Sequence, residues 1–264
     1  WHPPVAEPAG VRGSGALRFA RYAYPPNELG YCGPDGSHRL LEQVAAGADD
    51  GDLRRLVRGF EGAWPYLCLI AAANGIADPL DERVVEAYWV GNELLSRVSP
   101  RLMGDSLELR FRDRAGRSWS RLCAPVPAGA LPHHSFHVFG VYPWLGLLRL
   151  GRVDEPLRVL DRCRVRWGEV SAVSGGLATV RFQPLTWDGR RLGLGDPVEE
   201  QAVVSTEQHG LAGPVGPGDW VALHWDWVCD RLDGRGLAAL RTHTLRQLHV
   251  VNSVAVPAPA AVLS

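Results

Sequence analysis

Two side chains in the second half of the sequence, Cys163 and His224, are of the types that hold a transition metal. Thiolate suits soft and borderline cations, and imidazole is its usual nitrogen partner. Cys163 opens CRVRWGEV (Cys163 to Val170), and His224 lies in GDWVALHWDWVCDRLD (Gly218 to Asp233). Both runs read as strands. We expect Cys163 to head the first strand of a small barrel and His224 to sit mid-strand in its last. In a metal-free reading, Cys163 is a buried strand cysteine acting as a small hydrophobe, and His224 is a core histidine bonded to a carbonyl.

The first half carries a second set. NELGYCGPDGSH places Cys32 in a glycine-rich turn before a helix, where backbone amides and the helix dipole favour thiolate. PHHSFHV supplies His134 and His137. Cys32 as nucleophile with His134 or His137 as base would make a cysteine-dependent enzyme. The same three residues could instead bind a metal, or simply pack. Pro132, Phe136, Val138, Phe139 and Pro143 predict a strand or turn here, and in a strand residues three apart point to opposite faces. No phosphate loop, dinucleotide fingerprint, nucleophile elbow, HExxH or paired CxxC occurs.

The elements that must position these residues divide into two kinds. Helical spacing dominates from about Gly15 to Val98. Ser37 or Asp35 can cap a helix bearing Leu40, Leu41 and Val44, and Asp52 can open one bearing Leu53, Leu56, Val57 and Phe60. Pro65 should break or kink the helical run after it. Asp78-Pro79 reads as a helix start leading through Val84, Val85, Tyr88 and Trp89 to Val98. From Ser106 to Val126 alternation of Leu107, Leu109 and Phe111 predicts a β-hairpin. After a polar linking helix near Asp154 to Leu160, Arg162 to Val228 is nearly all β, with turns at Ser174-Gly175-Gly176 and Asp188-Gly189. A last helix, about Leu237 to Val250, can cover the barrel. The fold class is therefore α+β: a mainly helical N-terminal domain with a β-hairpin and the Cys32 loop (1–155), an OB-like β-barrel with a C-terminal helix (156–252), and a flexible tail (253–264).

Composition narrows the function. The 264 residues carry 46% hydrophobic residues and a formal net charge of −1. That supports packed cores and gives no general field for nucleic acid. Five widely spaced cysteines, with no secretory apolar region ahead of them, lead us to expect free thiols in a reducing cytoplasm. The apolar run Tyr66 to Ala73 is too short to span a bilayer. Ten tryptophans are mostly expected in the core, although aromatic residues also anchor protein interfaces. A metal-free interaction module is thus a third reading.

The order of Cys163, the Gly-x-Val step at Gly168 and Val170, the Gly-Asp pair at Gly218 and Asp219, and His224 resembles the small hydrogenase-formation chaperones of the HypC/HupF type. The resemblance covers about Arg162 to Val250. It implies a HypC-like barrel in which Cys163 engages an iron fragment bearing carbonyl and cyanide ligands, with His224 nearby. Here the cysteine is interior rather than at a mature N-terminus, and Trp167 stands where the family usually has proline. NELGYCGP and PHHSFHVFGVYPW resemble an uncharacterised actinobacterial family associated with nickel-iron hydrogenase loci. Together the resemblances imply a non-catalytic accessory or maturation chaperone for a nickel-iron hydrogenase. Its partners would be the hydrogenase large subunit or other maturation proteins, and its cargo iron, held transiently through Cys163 and His224. An exchanging carrier requires that Cys163 not be sealed among apolar side chains.

Overall fold

Ser14 has the extended backbone and the hydroxyl of a helix cap, and its Oγ accepts from the Leu17 amide to start α1 (Gly15–Glu28). In the computed structural model, which describes residues 14–115, 124–206 and 209–253, α1 buries Phe19, Tyr22, Ala23 and Tyr24. Helices α2 (Ser37–Ala46), α3 (Gly51–Arg58), α4 (Trp64–Ala73) and α5 (Glu82–Trp89) follow. The caps differ from expectation by a few residues. Gly36 precedes α2, and Asp50 rather than Asp52 caps α3 through both Asp52 and Leu53 amides. Pro65 does not break a helix: it occupies the first turn of α4, where a missing N–H leaves no bond unmade. Asp78 closes a turn on Leu80, and Asp81 caps α5 instead. That helix stops at Trp89, because Gly91 takes a φ of 98° and a short 3-10 turn (Glu93–Arg97) follows.

The hairpin expected over Ser106 to Val126 is not formed in its described part. Residues Pro100–Ala115 make one helix, α6. Met103 and Leu107, four apart, are both fully buried, while Leu109 is 90% exposed. The alternation seen in sequence is thus one helical stripe plus an outlying leucine. The remainder of that segment, 116–123, lies outside the described residues, as do Cys123 and the tail beyond Ser253.

PHHSFHV is helical rather than extended. His134–Phe136 form one turn, α7, which widens into a π-helical turn at His137–Val141. Helices α8 (Trp144–Arg149) and α9 (Asp154–Cys163) then lead into the sheet.

The β half runs β1 (Arg166–Ser174), β2 (Leu177–Phe182), β3 (Leu185–Trp187), β4 (Leu192–Leu194), β5 (Val198–Val203), β6 (Trp220–His224) and β7 (Trp227–Leu232). Strands β3 and β4 form a separate hairpin across Asp188-Gly189, where Asp188 Oδ1 accepts from the Arg190 and Arg191 amides. The other five follow the order β1-β2-β5-β7-β6, with β6 pairing back to β1. The ring meets itself, but its β5–β7 seam is a single parallel pair, Val203 with Trp227. It is a rolled mixed sheet with one weak seam, not a barrel with continuous ladders. Helix α10 (Gly234–Ser253) packs Leu240 and Leu248 inward while Leu245 stays half exposed. The chain is α+β, as its patterns predict.

Its largest apolar cluster contains Phe19, Tyr24 and Trp89 from the helical half together with Val165, Trp167 and Trp227 from the β half. Tyr24 meets Trp227 edge-on at 5.4 Å, and Arg18 pairs with Asp230 at 3.0 Å. The two halves therefore share a core, and the candidate site lies along that junction. No described helix is long and apolar enough to cross a membrane.

Candidate metal centre

Three chain segments far apart in sequence end at one point. Helix α9 delivers Cys163 as its last residue, β6 delivers His224 as its last residue, and α7 delivers His134 as its first. One ring nitrogen of each histidine and Sγ of Cys163 all lie within 4.8 Å of one another, and all three residues are buried. The positions differ in detail from those expected from sequence. Cys163 does not head a strand, since β1 begins at Arg166, and His224 closes its strand rather than occupying its middle. Both changes place the donors at element ends, where side chains can converge.

The hydrogen bonds fix each imidazole's tautomer. His224 Nδ1–H donates to the Tyr22 carbonyl at 2.6 Å, so its lone pair sits on Nε2, a fully buried atom that meets no partner in hydrogen-bond geometry and has the Cys163 carbonyl nearby. A ring nitrogen held by a carbonyl while the other presents its lone pair inward is the arrangement of metal-binding histidines. Burial, above all, pushes the His224 pKa down to about 4, which keeps the lone pair available at neutral pH. His134 Nε2–H donates to the Cys163 carbonyl at 2.8 Å, and the Tyr88 O–H reaches Nδ1 at 3.3 Å. His134 would give up one of these bonds on taking a cation. Burial first, and then the neighbouring His224, hold it well below the ordinary range.

The surroundings are aromatic and come largely from the helical half. The Trp89 ring lies 4.5 Å from that of His134 and 5.5 Å from that of His224, and Tyr22 stacks on Trp89 at 5.3 Å. Burial pushes the Cys163 thiol up, and a neighbouring Cys32 pushes it further. Opposing both is the Trp225 indole N–H, which lies close enough to favour thiolate yet has no acceptor in hydrogen-bond geometry. A cation-bound thiolate would supply that acceptor. An orphaned imidazole lone pair, two neutral histidines and an unsatisfied donor beside the sulfur together fit a bound metal.

Trp225 is also where strain is stored. Its φ of 53° is the one positive value among described non-glycine residues, a conformation that a bulky side chain adopts only when its surroundings impose it. Trp225 thus occupies the β6–β7 turn, between His224, the last residue of β6, and Trp227, the first of β7. Its amide donates to the Arg162 carbonyl at 2.8 Å, and its own carbonyl accepts from the fully buried Arg166 guanidinium. Arg166 and Arg162 both pair with Glu200. This network aims the indole at Cys163.

Cys32 is not mounted as an activated nucleophile. Burial pushes its thiol up to about 12, opposite to the expected helix-dipole effect. It sits in the turn between α1 and α2, far along the chain from the short helix that carries the histidines. His134 and His137 stand on one helical face with rings 6.4 Å apart, but His137 turns toward Tyr66 and Tyr142 and away from the three-residue group. Sequence reasoning pairs Cys163 with His224 and sets His134 in a rival site. It does not foresee the Trp225 turn or the Tyr22 carbonyl, because a positive φ and a backbone acceptor leave no residue-type signal.

Fold and site define an α+β protein with a buried cysteine–histidine cluster at the joint between a helical half and a rolled sheet. The chain belongs to a family of unknown function, DUF6390, whose model matches residues 11–258. Searches of curated proteins and of solved structures found no match.

Proposed function

We propose that this chain is a metal-binding accessory protein whose centre is formed by Cys163, His224 and His134, with iron as the metal that the hydrogenase-chaperone resemblance implies. The observation that carries this reading is the convergence of three donor side chains from distant segments, all buried and with one donor atom of each within 4.8 Å of the others. The metal would supply charge-assisted cross-linking of the two halves and a soft site for small ligands. The protein's own part is to hold thiolate and neutral imidazoles in place and to exclude water with Trp89, Tyr22 and Trp225.

Nickel-iron hydrogenase maturation in the cytoplasm is the context that the Cys163, Gly168, Val170, Gly218, Asp219 and His224 pattern supports, with the large subunit or another maturation protein as partner. Cys163, 6% exposed, is sealed among Val138, Phe139, Leu145 and Leu160, which overturns the expected carrier that holds iron transiently for exchange; the reading that stands is a resident metal. Anaerobic purification from a hydrogenase-expressing host, followed by metal analysis and infrared spectroscopy in the cyanide and carbonyl stretching region, tests the reading. Iron and bands present in the wild type and absent in Cys163→Ala support it. Iron without bands reduces it to a metal protein of another pathway, and no metal in either form overturns it.

A further inference from the structure

We propose that Cys32 is the fourth ligand of this centre, so that two thiolates and two imidazoles hold the cation and the loop between α1 and α2 closes the site; this rests on the metal reading above. Charge balance is the first argument. A divalent cation bound by one thiolate and two neutral imidazoles carries a net charge of about +1, and a buried uncompensated charge is costly. Arg166, itself fully buried, adds positive potential at His224. A second thiolate brings the centre to neutrality, and a centre with two sulfur and two nitrogen donors is a common closed tetrahedral set.

The second argument is placement. The Tyr31 ring stacks on the Trp225 indole with centroids 4.4 Å apart, and that indole is the one beside Cys163. Cys32 is the next residue of that loop, and its side chain packs against the apolar cluster of the helical half. Asn27 Nδ2 holds this loop by donating to the Cys32 carbonyl at 2.7 Å and to the Pro34 carbonyl at 2.8 Å. Gly33, with φ of 86°, lets the chain pass against Phe60, whose ring would clash with any Cβ there. Cys32 lies near enough to Cys163 and to Tyr142 to interact with both electrostatically. Cys163, His134 and His224 are buried, whereas Cys32 is only half-buried, so it lies on the solvent side. Its Sγ stands outside the 4.8 Å group. A change of χ1 rotamer swings a cysteine Sγ by roughly 3 Å, a displacement suited to closing on an arriving cation.

Cobalt(II) titration of the whole reduced protein tests this, because thiolate-to-cobalt charge transfer in the near ultraviolet grows with the number of thiolates bound. In wild type we expect about one cobalt per chain. Cys32→Ala should show about half the band, or lose cobalt in a way that Cys32→Asp restores with about half the band. Tyr142→Phe should leave the band at full strength, which separates Cys32 from the neighbouring phenol. A full-strength band in Cys32→Ala overturns the assignment and leaves the three-residue centre standing. Failure of wild type to bind cobalt overturns that centre as well.

Discussion

Replacing Arg166 with methionine separates the architecture of the site from its ligands, since Arg166 touches no proposed donor but holds the turn beside them. Its guanidinium is fully buried, pairs with Glu200, donates to the Trp225 carbonyl and lies 4.6 Å over the Phe182 ring. Removing one partner of a buried ion pair costs about 3–5 kcal/mol. Arg162 still faces Glu200 at 3.0 Å, so the carboxylate keeps a cation, and the lower end, about 3 kcal/mol, applies. For a domain of this size each kcal/mol moves Tm by about 2–4 °C, giving a fall of roughly 6–12 °C. The left-handed Trp225 backbone, freed of its carbonyl anchor, should relax and carry the indole away from Cys163. Outer-shell losses of this kind weaken metal binding about 10–100-fold. Thermal unfolding by circular dichroism on metal-free protein and a cobalt titration measure the two effects. A stability loss under about 1 kcal/mol with unchanged affinity would refute the claim that this network aims the indole.

Other outcomes arise from the same packing. Burial pushes the pKa of His224 down to about 4 and that of His133 down to about 3. Their contribution to stability is complete above the unfolded value of 6.5 and is lost as pH falls from there toward 4 and 3, at about 1.4 kcal/mol per pH unit for each. Urea unfolding of metal-free protein at pH 7, 6 and 5 should show this decline, and a flat profile would contradict it. With its thiol pushed up to about 12, Cys32 should react slowly with iodoacetamide at neutral pH in the folded chain and quickly only after unfolding; rapid labelling would revive the enzyme reading. Gly168 in β1 leaves no room for a side chain, since a Cβ would clash with Val180 Cγ1 and lie 3.0 Å from the Arg181 carbonyl. Gly168→Val should therefore destabilise by about 1–3 kcal/mol or more in denaturant titration.

Residue types carried much of this fold into view, and element ends carried the site out of it. The Asp188-Gly189 and Gly175-Gly176 turns are legible because their chemistry is local: a carboxylate accepting nearby amides, and glycines at φ of 58° and 80°. The helix over Pro100–Ala115 reads as a hairpin because Leu107, Leu109 and Phe111 satisfy a period of two, while the Met103–Leu107 pair that decides the matter is visible only once burial is known. Cys163 and His224 are legible as candidate ligands by type and family pattern. His134 is legible only as a histidine, because its helical turn brings it to Cys163 through a contact spanning 29 residues. Cys32 is expected to be acidic from its place before a helix, yet desolvation outweighs the dipole there.

X-ray absorption at the metal edge of protein loaded with one equivalent of iron(II) under reducing conditions tests the central claim most directly. The expected result is a low-coordinate first shell containing sulfur and imidazole nitrogen, with the sulfur contribution reduced in Cys163→Ala and the imidazole contribution reduced in His224→Ala. A first shell of oxygen alone, unchanged by either substitution, would contradict it.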